Sequence, residues 1–493
     1  MTVKSIMKKS ERWRTHWMML ALIAFCFGSC KDDDNNGSKA EAYDPSQPVL
    51  VTDFLPKEGG IGQRLVIYGK NFGNDISIIR VFIGGKEAKV IGVNSESLYV
   101  LVPEKAYKGN IEIQIGSGDN PVIAKADSIF KYQRKMVVST LIGYKNDRGD
   151  EPWKDGKFKD DNELNMASGF KESSWLKFDP INPKHLWMVF DNVNGLYLIN
   201  FEDSTVIKKR SDFSRPRSID FTMDGEYMII AEDRGGETDR NTIRLSRTSN
   251  FQNLEEITRY KQCNTAAIHP VNGELYFNSY SKGEFFRFDL AKYFTAGGTV
   301  VGVTDNNKWG QFGKMLFTIL DPSWEYRIII HPTGNYAYIV VVNKHYILRT
   351  DYNWATKEFN PPYIFSGTAQ SSGYQDGVGT NTKMDTPYQG VFVKNDEYVA
   401  EGKSDEYDFY FTDLYNHAIR KLTPEGSLTT FAGRGSSSLN SNPYGYVDGD
   451  LRDEARFDRP SGIAYNEAEN AFYIGDRENH RIRKIGLEEM DEE

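Results

Sequence analysis

The sequence repeats one segment near its C-terminal end, and this repeat limits the possible folds more than any other feature. Residues 373–421 and 445–484 each begin with Gly-Tyr-x-Asp-Gly, continue through an apolar run and an aromatic strand, and end with Asp-x-x-Asn-His-x-Ile-Arg-Lys. A period of several tens of residues, made of short β-rich runs, is typical of stacked supersecondary units. We therefore predict a repeat architecture rather than one compact sandwich.

Four weaker copies of the unit precede these two. Each copy has an inner strand that ends in a small turn, followed by two further apolar, aromatic-rich runs. The predicted inner strands are residues 175–179, 218–222, 265–269, 327–331, 390–394 and 462–465. Six units of this kind, with four strands each, predict a six-bladed β-propeller.

The last unit lacks an outermost strand, because the chain ends shortly after Ile485. A segment that matches the missing strand, residues 137–143, stands before the first unit and is similar to residues 427–433 of the fifth. Pairing this N-terminal strand into the last blade would close the ring and leave no unpaired sheet edge. We predict that the propeller is closed in this way.

The motif that follows each aromatic strand in the last two units resembles the NHL repeats of β-propellers. Its polar side chains recur at equivalent positions, so we expect them to build the blades by bonding turn backbone groups. The predicted structural residues are Asp413, Asn416, His417, Arg420, Asp476, Asn479, His480 and Arg483.

The N-terminal residues read as an export signal. Basic residues between Lys4 and Arg14 precede an apolar run, residues 17–27, that is too short to span a bilayer. The run ends in Phe-Gly-Ser-Cys, which resembles a bacterial lipobox. This resemblance implies that residues 1–29 are a lipoprotein signal peptide and that Cys30 carries lipid.

Residues 30–46 are acidic and rich in small polar residues, which predicts a flexible tether. The segment resembles the surface-export signal of lipoproteins from glycan-degrading Gram-negative bacteria. This resemblance implies an outer-membrane lipoprotein exposed on the cell surface.

Residues 47–133 alternate like half-buried strands and include a Gly84-Gly85 hairpin turn. They resemble an IPT/TIG domain, an immunoglobulin-like sandwich, and by that resemblance serve as a spacer. The propeller is then predicted at residues 134–487, followed by an acidic tail, 488–493. The predicted fold class is all-β: an Ig-like β-sandwich followed by a six-bladed β-propeller.

Loops that lead into the inner strands of a propeller surround its channel. Aromatic rings beside Arg and Gln at such places suit a sugar, because ring faces stack on the sugar and polar groups bond its hydroxyls. Several arginines on a net-acidic chain suit a uronate or sulfate. The candidate ligand-binding residues are Trp175, Arg217, Trp324, Tyr326, Arg327, Tyr388, Gln389 and Arg459, with Trp309 and Trp354 in long loops.

Motifs for catalysis are weak. No Gly-rich phosphate loop or metal-ligand spacing appears, and we predict no catalytic residues and no enzymatic activity. Asp448, Asp450 and Asp453 offer the oxygen ligands that Ca²⁺ takes, but they coincide with the Asp-Gly loop of the repeat, so we expect no cofactor and no metal. A net charge of −9 argues against nucleic acid.

The expected function follows from the resemblance to lipoproteins of polysaccharide-utilisation systems: capture of a glycan at the cell surface for uptake. The first alternative is a protein–protein interaction module of an outer-membrane transport complex. The second is a metal-dependent lyase or lactonase on the propeller axis.

Overall fold

The computed structural model describes residues 41–116, 120–144, 152–160, 165–190, 193–234, 239–259, 262–298, 312–319, 325–435 and 441–489. The chain divides into two compact units, with the boundary between Gln133 and Arg134. Within the described ranges, no helix is long and apolar enough to cross a lipid bilayer.

The N-terminal unit is a β-sandwich. Its strands are β1 (Leu50–Leu55), β2 (Glu58–Gly59), β3 (Arg64–Lys70), β4 (Ile79–Ile83), β5 (Lys86–Asn94), β6 (Ser97–Leu101), β7 (Ile111–Ile115), β8 (Val122–Lys125) and β9 (Lys131–Tyr132). The strand order is β1-β3-β6-β5-β4-β7-β8, and β2 pairs with β9. Strand β5 joins the two sheets, because residues 86–88 pair with β4 and residues 89–94 with β6.

Alternation along these strands places one face of each sheet inside the sandwich. Phe54, Ile67, Val81 and Ile113 are fully buried there. The hairpin between β4 and β5 turns at Gly84 and Gly85, both with positive φ, as the Gly-Gly pair predicts. The predicted immunoglobulin-like sandwich is therefore confirmed.

The C-terminal unit is a propeller of six blades, each an antiparallel sheet, and this confirms the predicted fold class. From the axis outward, blade 1 has β12 (Ser173–Phe178), β13 (His185–Phe190), β14 (Leu196–Asn200), β15 (Thr205–Arg210) and β11 (Gly156–Lys157). Blade 2 has β16 (Pro216–Phe221), β17 (Tyr227–Glu232), β18 (Arg240–Ser246) and β19 (Leu254–Arg259). Blade 3 has β20 (Ala266–Ile268), β21 (Leu275–Ser279), β22 (Glu284–Phe288) and β23 (Gly313–Thr318).

The strands of the last three blades follow the same pattern. Blade 4 has β24 (Tyr326–Ile330), β25 (Tyr336–Val341), β26 (Tyr346–Asn353) and β28 (Tyr363–Ser366), and β27 (Glu358–Phe359) also pairs with β26. Blade 5 has β30 (Pro387–Lys394), β31 (Tyr407–Asp413), β32 (Ala418–Leu422), β33 (Ser427–Gly433) and β29 (Gly377–Val378). Blade 6 has β35 (Pro460–Asn466), β36 (Ala471–Asp476), β37 (Arg481–Leu487), β10 (Met136–Ile142) and β34 (Gly449–Asp450). Two short helices, α1 (Leu290–Thr295) and α2 (Asp396–Glu401), lie in connections within blades 3 and 5.

The ring closes as the sequence predicts. Strand β10 pairs antiparallel with β37, with Val138 opposite Ile485, and so supplies the outermost long strand of blade 6. Val138 is buried with Ile419, Ala432 and Ile485. The first strand of the propeller thus completes its last blade, and neither strand is left as a free edge.

Apolar cores fill the spaces between neighbouring blades. Leu176 and Tyr473, for example, pack in one core between blades 1 and 6, whereas Tyr338 and Phe409 pack between blades 4 and 5. Stacked sheets of a propeller bury both of their faces, which explains the apolar and aromatic content of the middle strands.

The inner strands are joined to one another by side chains rather than by a continuous ladder. Ser218 Oγ accepts the Ala266 amide at 3.0 Å, and Thr265 Oγ1 accepts the Ile328 amide at 2.9 Å. Inner-strand edges carry unpaired backbone groups that must be satisfied. Small polar residues at these positions therefore hold the ring together around its axis.

Candidate functional site

The two ends of the propeller axis differ in chemistry. We call the side on which the six inner strands begin the upper face and the side on which they end the lower face. Strand pairing places the loops before the inner strands, and those between the second and third strands, on the upper face. Most of the candidate residues from the sequence lie at this end.

Two buried arginines lie with two acids at the upper end of the axis. Arg217 Nη2 is 3.2 Å from Asp233 Oδ2, and its Nη1 is 3.4 Å from Glu325 Oε1. Arg327 contacts the same Glu325 carboxylate, and the Tyr388 hydroxyl donates to it at 2.7 Å. Arg217 is 7% exposed and Arg327 is fully buried. Their charges are balanced inside the ring, as a buried cation requires.

The aromatic candidates at this end also pack inward. The Arg327 guanidinium lies 4.3 Å from the Tyr388 ring centre and 5.8 Å from that of Trp175. The Trp175 indole N–H donates to the Ile219 carbonyl at 2.9 Å, and Tyr326 is fully buried. The structure places these residues together at the upper end of the axis. They form a packed cluster, and the faces of their rings are not open to solvent.

The side chain of Gln389, on blade 5, forms hydrogen bonds with the inner strands of blades 1 and 6. Its Oε1 accepts the amides of Leu176 at 2.9 Å and Ile463 at 3.0 Å, and its Nε2 donates to the Leu176 carbonyl at 2.7 Å. These bonds satisfy the inner edges of blades 1 and 6 from a side chain of blade 5. Gln389 is 3% exposed and so acts as a partition across part of the channel rather than as a surface contact.

Four exposed tyrosines lie on the upper face over blades 5 and 6. Tyr374, Tyr415, Tyr444 and Tyr446 expose 37%, 50%, 44% and 47% of their surface. We call them, with the arginines that stack on three of them, the tyrosine patch. The stacked pairs are Arg434 on Tyr374 at 3.9 Å, Arg459 on Tyr415 at 5.3 Å and Arg481 on Tyr446 at 4.0 Å.

The members of the patch near blade 5 are connected through the loops that carry them. Tyr444 lies 5.2 Å from His417, whose Nδ1 accepts the Arg459 amide at 3.2 Å. Arg434 donates to the Asn416 carbonyl at 3.0 Å. Rings and guanidinium groups are therefore held side by side on one surface.

Sequence reasoning included Arg459 among the ligand candidates and placed Tyr415 on the same face, but it missed Tyr374, Tyr444 and Tyr446. A signal was present: Tyr374 and Tyr446 occupy the same position of the Gly-Tyr-x-Asp-Gly repeat. In the structure their hydroxyls contact equivalent threonines, Thr430 at 2.7 Å and Thr140 at 2.9 Å. The repetition fixes both rings in the same orientation at the edge of a blade.

The polar residues of the repeat motif bond one another in the same way in both blades. Asp413 accepts from Asn416 at 2.9 Å and from Arg420 at 2.6 Å, and Arg420 reaches Asp376 at 2.7 Å. Burial raises the pKa of the Asp413 carboxyl to about 6, and the Arg420 charge partly offsets this effect. The network ties the third strand of the blade to the loop that carries Tyr374.

In blade 6 the equivalent residues repeat these contacts. Asp476 accepts from Asn479 at 2.8 Å and from Arg483 at 2.7 Å, while Arg483 also reaches Asp448 at 2.5 Å. Asp448 in turn accepts the Thr140 amide at 3.1 Å. His480, like His417, has a left-handed φ at the end of a 3₁₀ turn.

The carboxylates considered for Ca²⁺ lie near this network. Asp448 faces Arg483, and Asp450 accepts the turn amides of Arg452 at 3.0 Å and Asp453 at 3.1 Å. Burial raises the pKa of Asp450, but these two amides and the nearby Lys135 ammonium outweigh that effect and hold the pKa below its usual value. Across the described ranges, no group of three His, Cys, Asp or Glu side chains is arranged to hold a metal ion.

The remaining candidates lie elsewhere. Trp354 is 46% exposed on the lower face, where its indole N–H donates to Asn335 at 3.0 Å. Trp309, Trp324 and the lipid-attachment candidate Cys30 lie outside the described residues. Cys263 is a fully buried thiol.

Comparisons with known proteins agree with this architecture. Residues 48–132 match the IPT/TIG domain family, and residues 457–485 match the NHL repeat family. A crystal structure named as an auxiliary nutrient binding protein from Bacteroides thetaiotaomicron VPI-5482 is 46% identical, covers 91% of this chain and 100% of its own, and superposes with a TM-score of 0.76. The chain belongs to the family of this protein.

Two further members show the breadth of the family. An auxiliary nutrient binding protein from Bacteroides ovatus ATCC 8483 is 35% identical, with 91% of this chain and all of the other covered and a TM-score of 0.69. A protein from Bacteroides thetaiotaomicron VPI-5482, whose name suggests a phosphatase, is 45% identical, with 92% and 100% covered and a TM-score of 0.82.

Similarity to curated proteins is confined to a short stretch. The human NHL repeat-containing protein 2 is 29% identical over 118 residues, which are 24% of this chain and 14% of the human protein. The Arabidopsis thaliana protein SUPPRESSOR OF QUENCHING 1, chloroplastic, is 33% identical over 127 residues, which are 26% of this chain and 10% of the plant protein. The chain thus spans only a small part of either relative.

Proposed function

We propose that this family member is a non-enzymatic binding lipoprotein that captures a glycan on the upper face of its propeller. The observation that carries the proposal is the tyrosine patch, because its exposed rings and adjacent guanidinium groups match what a sugar ligand needs. Apolar sugar faces stack on tyrosine, and hydroxyl or acidic groups accept hydrogen bonds from arginine. The names of the two auxiliary nutrient binding proteins support a binding role.

The tyrosine patch, rather than the buried residues predicted at the upper end of the axis, is the binding site that we propose. Arg217 and Arg327 already face carboxylates inside the ring, whereas Arg459 is 44% exposed beside Tyr415. A uronate or sulfate reaches Arg459, Arg434 and Arg481 without displacing a buried ion pair. We therefore propose an anionic glycan as the ligand class.

Affinity electrophoresis tests this proposal. The soluble protein, residues 41–493, is run through gels that contain neutral or anionic polysaccharides. We expect retardation by an anionic polysaccharide and at least a fivefold rise in the apparent Kd when Tyr415 and Tyr444 are both changed to Ala. Tyr363→Ala is the matched control, because Tyr363 is 48% exposed on the outer edge of blade 4.

Unchanged retardation in the double variant would contradict the patch as the site. If no polysaccharide retards the protein, the glycan proposal fails, and a protein partner of an outer-membrane transport complex becomes the ligand to seek by pull-down from membranes.

We also propose that the propeller does not catalyse a reaction on this ligand. The described part of the axis holds ion pairs and tyrosines without a cluster of metal ligands, and its two arginines are already paired. Incubation with p-nitrophenyl phosphate and with a sugar lactone, each with and without added divalent metal, is expected to give no turnover above buffer. Turnover that Asp233→Asn abolishes would overturn this part of the proposal.

Surface anchoring belongs to the same proposal and depends on Cys30. Cys30→Ala is expected to move the protein from the outer-membrane fraction to the soluble fraction. Protease added to whole cells is expected to degrade the native protein, whereas protection in intact cells would indicate the periplasmic side.

A further inference from the structure

The lower half of the propeller axis contains a cavity that the proposed glycan site does not use. Its volume is about 490 Å³, within the usual range of about 300–1,000 Å³ for small-molecule pockets. All six inner strands contribute to its wall, which includes Phe178, Ile268, Ile330, Val391 and Tyr465. Trp175 and Gln389 bound its inner end, on the side of the arginine cluster.

Several backbone amides along this wall are already bonded. Gln389 accepts the amides of Leu176 and Ile463, and Asp220 Oδ2 accepts the Ile268 amide at 2.8 Å. The Ile328 amide donates to Thr265. An occupant therefore finds apolar side chains along the wall and few backbone groups to bond, which favours a ligand with an apolar body.

The charges in the wall are also matched. Lys177 Nζ lies 2.8 Å from Asp220 Oδ1, and the side chains of this pair are 42% and 16% exposed. Because the two charges already neutralise each other, a charged ligand would gain a partner here only by displacing one member of the pair. The ion pair therefore selects for a neutral ligand.

The rim of the cavity is apolar and exposed. Ile181, Met223 and Val271 expose 58%, 57% and 48% of their surface, although each lies at a turn where a polar residue is the usual choice. Each lies against a glycine in the turn of the next blade: Gly225, Gly273 and Gly334, respectively. Of the three, Met223 lines the cavity, whereas Ile181 and Val271 follow directly on Pro180 and Pro270, which line it.

We propose that this cavity is a second binding site, for a small, uncharged, apolar molecule such as a fused-ring compound. A small molecule is favoured over a peptide because the wall encircles the axis and the partition at Gln389 bounds its inner end. The site is thus a well with its mouth at the lower face, whereas an extended peptide needs a groove. This proposal is independent of glycan binding, which uses the upper face.

Titration with the neutral fluorophore N-phenyl-1-naphthylamine tests the proposal on the soluble protein, residues 41–493. We expect saturable fluorescence enhancement with one site per chain. Met223→Glu places a charge at the mouth without burying it, so the variant is expected to fold and to raise the Kd at least fivefold. Met315→Glu is the matched control, because Met315 is 49% exposed on strand β23, and its Kd is expected to stay within twofold.

A second arm tests the selection for a neutral ligand. The charged analogue 1-anilinonaphthalene-8-sulfonate is expected to bind at least fivefold more weakly than the neutral fluorophore. Lys177→Met leaves Asp220 unpaired and is expected to weaken the charged analogue further. Non-saturable enhancement, or equal losses in Met223→Glu and Met315→Glu, would overturn the proposal, as would tighter binding of the charged analogue.

Discussion

Arg420 and Arg483 show how single residues hold the last two blades. Each has a fully buried side chain, and each bonds a buried aspartate on the middle strand and an exposed aspartate in the preceding Asp-Gly loop. The buried aspartate is the partner that matters most, because removing either the arginine or this aspartate leaves the other charge buried without compensation. The repeated sequence motif therefore encodes the same hydrogen-bonded network in both blades.

Replacing Arg420 with Met is expected to lower the free energy of unfolding of the propeller by about 3–5 kcal/mol, because Asp413 remains buried without its partner. Urea denaturation followed by tryptophan fluorescence measures this loss. Arg459→Met is the control: Arg459 makes an exposed pair with Glu478, and such pairs contribute about 0–1 kcal/mol. Similar losses in the two variants would contradict the structural role of Arg420.

His269 is a buried residue that links stability to pH. Its Nε2 lies 3.0 Å from the Gly334 carbonyl, and its Nδ1 faces the amides of Val271 and Asn272 at 3.3 and 3.4 Å. Nε2 therefore carries the proton and Nδ1 is an acceptor. Burial lowers the pKa of His269, because the charged ring loses its hydration. Asp179 holds the equivalent turn amides in blade 1.

Because the folded pKa of His269 is depressed, the unfolded chain binds this proton first on acidification. We expect the stability of the propeller to fall as the pH drops below about 6.5, by at most ~1.4 kcal/mol per pH unit until the folded pKa is reached. His269→Asn keeps an acceptor for the amides and should flatten this slope. Unfolding free energies of both proteins, measured from pH 7.5 to 5, decide whether the slope flattens, and an equal slope in the two would contradict the role of His269.

At the scale of the element, the closing strand β10 contributes to two neighbouring strands and to two interblade cores. It pairs with β37 along most of its residues and carries β34 on its other edge. Its buried side chains, Val138 and Ile142, belong to two different interblade cores. One strand thus stabilises both sides of blade 6.

Val138→Ala is expected to destabilise the whole propeller by about 2 kcal/mol, from the lost methyl groups and the cavity that remains. The loss should appear in the main unfolding transition, because closure couples the first and last blades. Ser139→Ala, at a partly exposed position of the same strand, is expected to change stability by less than about 0.5 kcal/mol. A separate early transition in Val138→Ala would show that the closure opens independently.

The inner strands also show how far sequence reasoning reaches. Their order, number and closure were predictable, because apolar periodicity and the small turn after each strand repeat along the chain. The observed strands begin up to three residues before the predicted ones, as at Pro387 and Pro460. The orientation of the Arg327, Tyr388 and Gln389 side chains was not predictable. A residue at the start of an inner strand can point toward solvent or toward a neighbouring blade, and its place in the sequence does not distinguish the two.

At the scale of the whole molecule, the two units have separate cores. The sandwich buries Phe54, Leu98 and Phe130 within residues 41–133, whereas the propeller cores use residues after Arg134. The sequence predicted both units because each carries its own strand pattern. The cavity on the lower face was not predicted, since its wall is assembled from six strands that are distant in sequence.

Residues 41–133 are therefore expected to fold as an isolated fragment with a cooperative thermal transition, measured by circular dichroism. A Phe54→Ala change in this fragment should cost about 3–5 kcal/mol, because Phe54 is fully buried. In the intact protein the same change should lower only the transition of the sandwich and leave that of the propeller in place. A shift of both transitions would show that the units unfold as one.

The closure of the ring sets the order in which the protein acquires its structure. Arg134 bonds Glu488 across 354 positions of sequence, so the last blade has a very high contact order. During synthesis the N-terminal part of the chain is made first, so β10 has no partner strand until β37 has been made. Until the two strands pair, each has an unpaired edge. We therefore expect blade 6 to form last, and a chain with β10 still unpaired to be able to exchange this strand with a second copy, giving a swapped dimer in place of a closed ring.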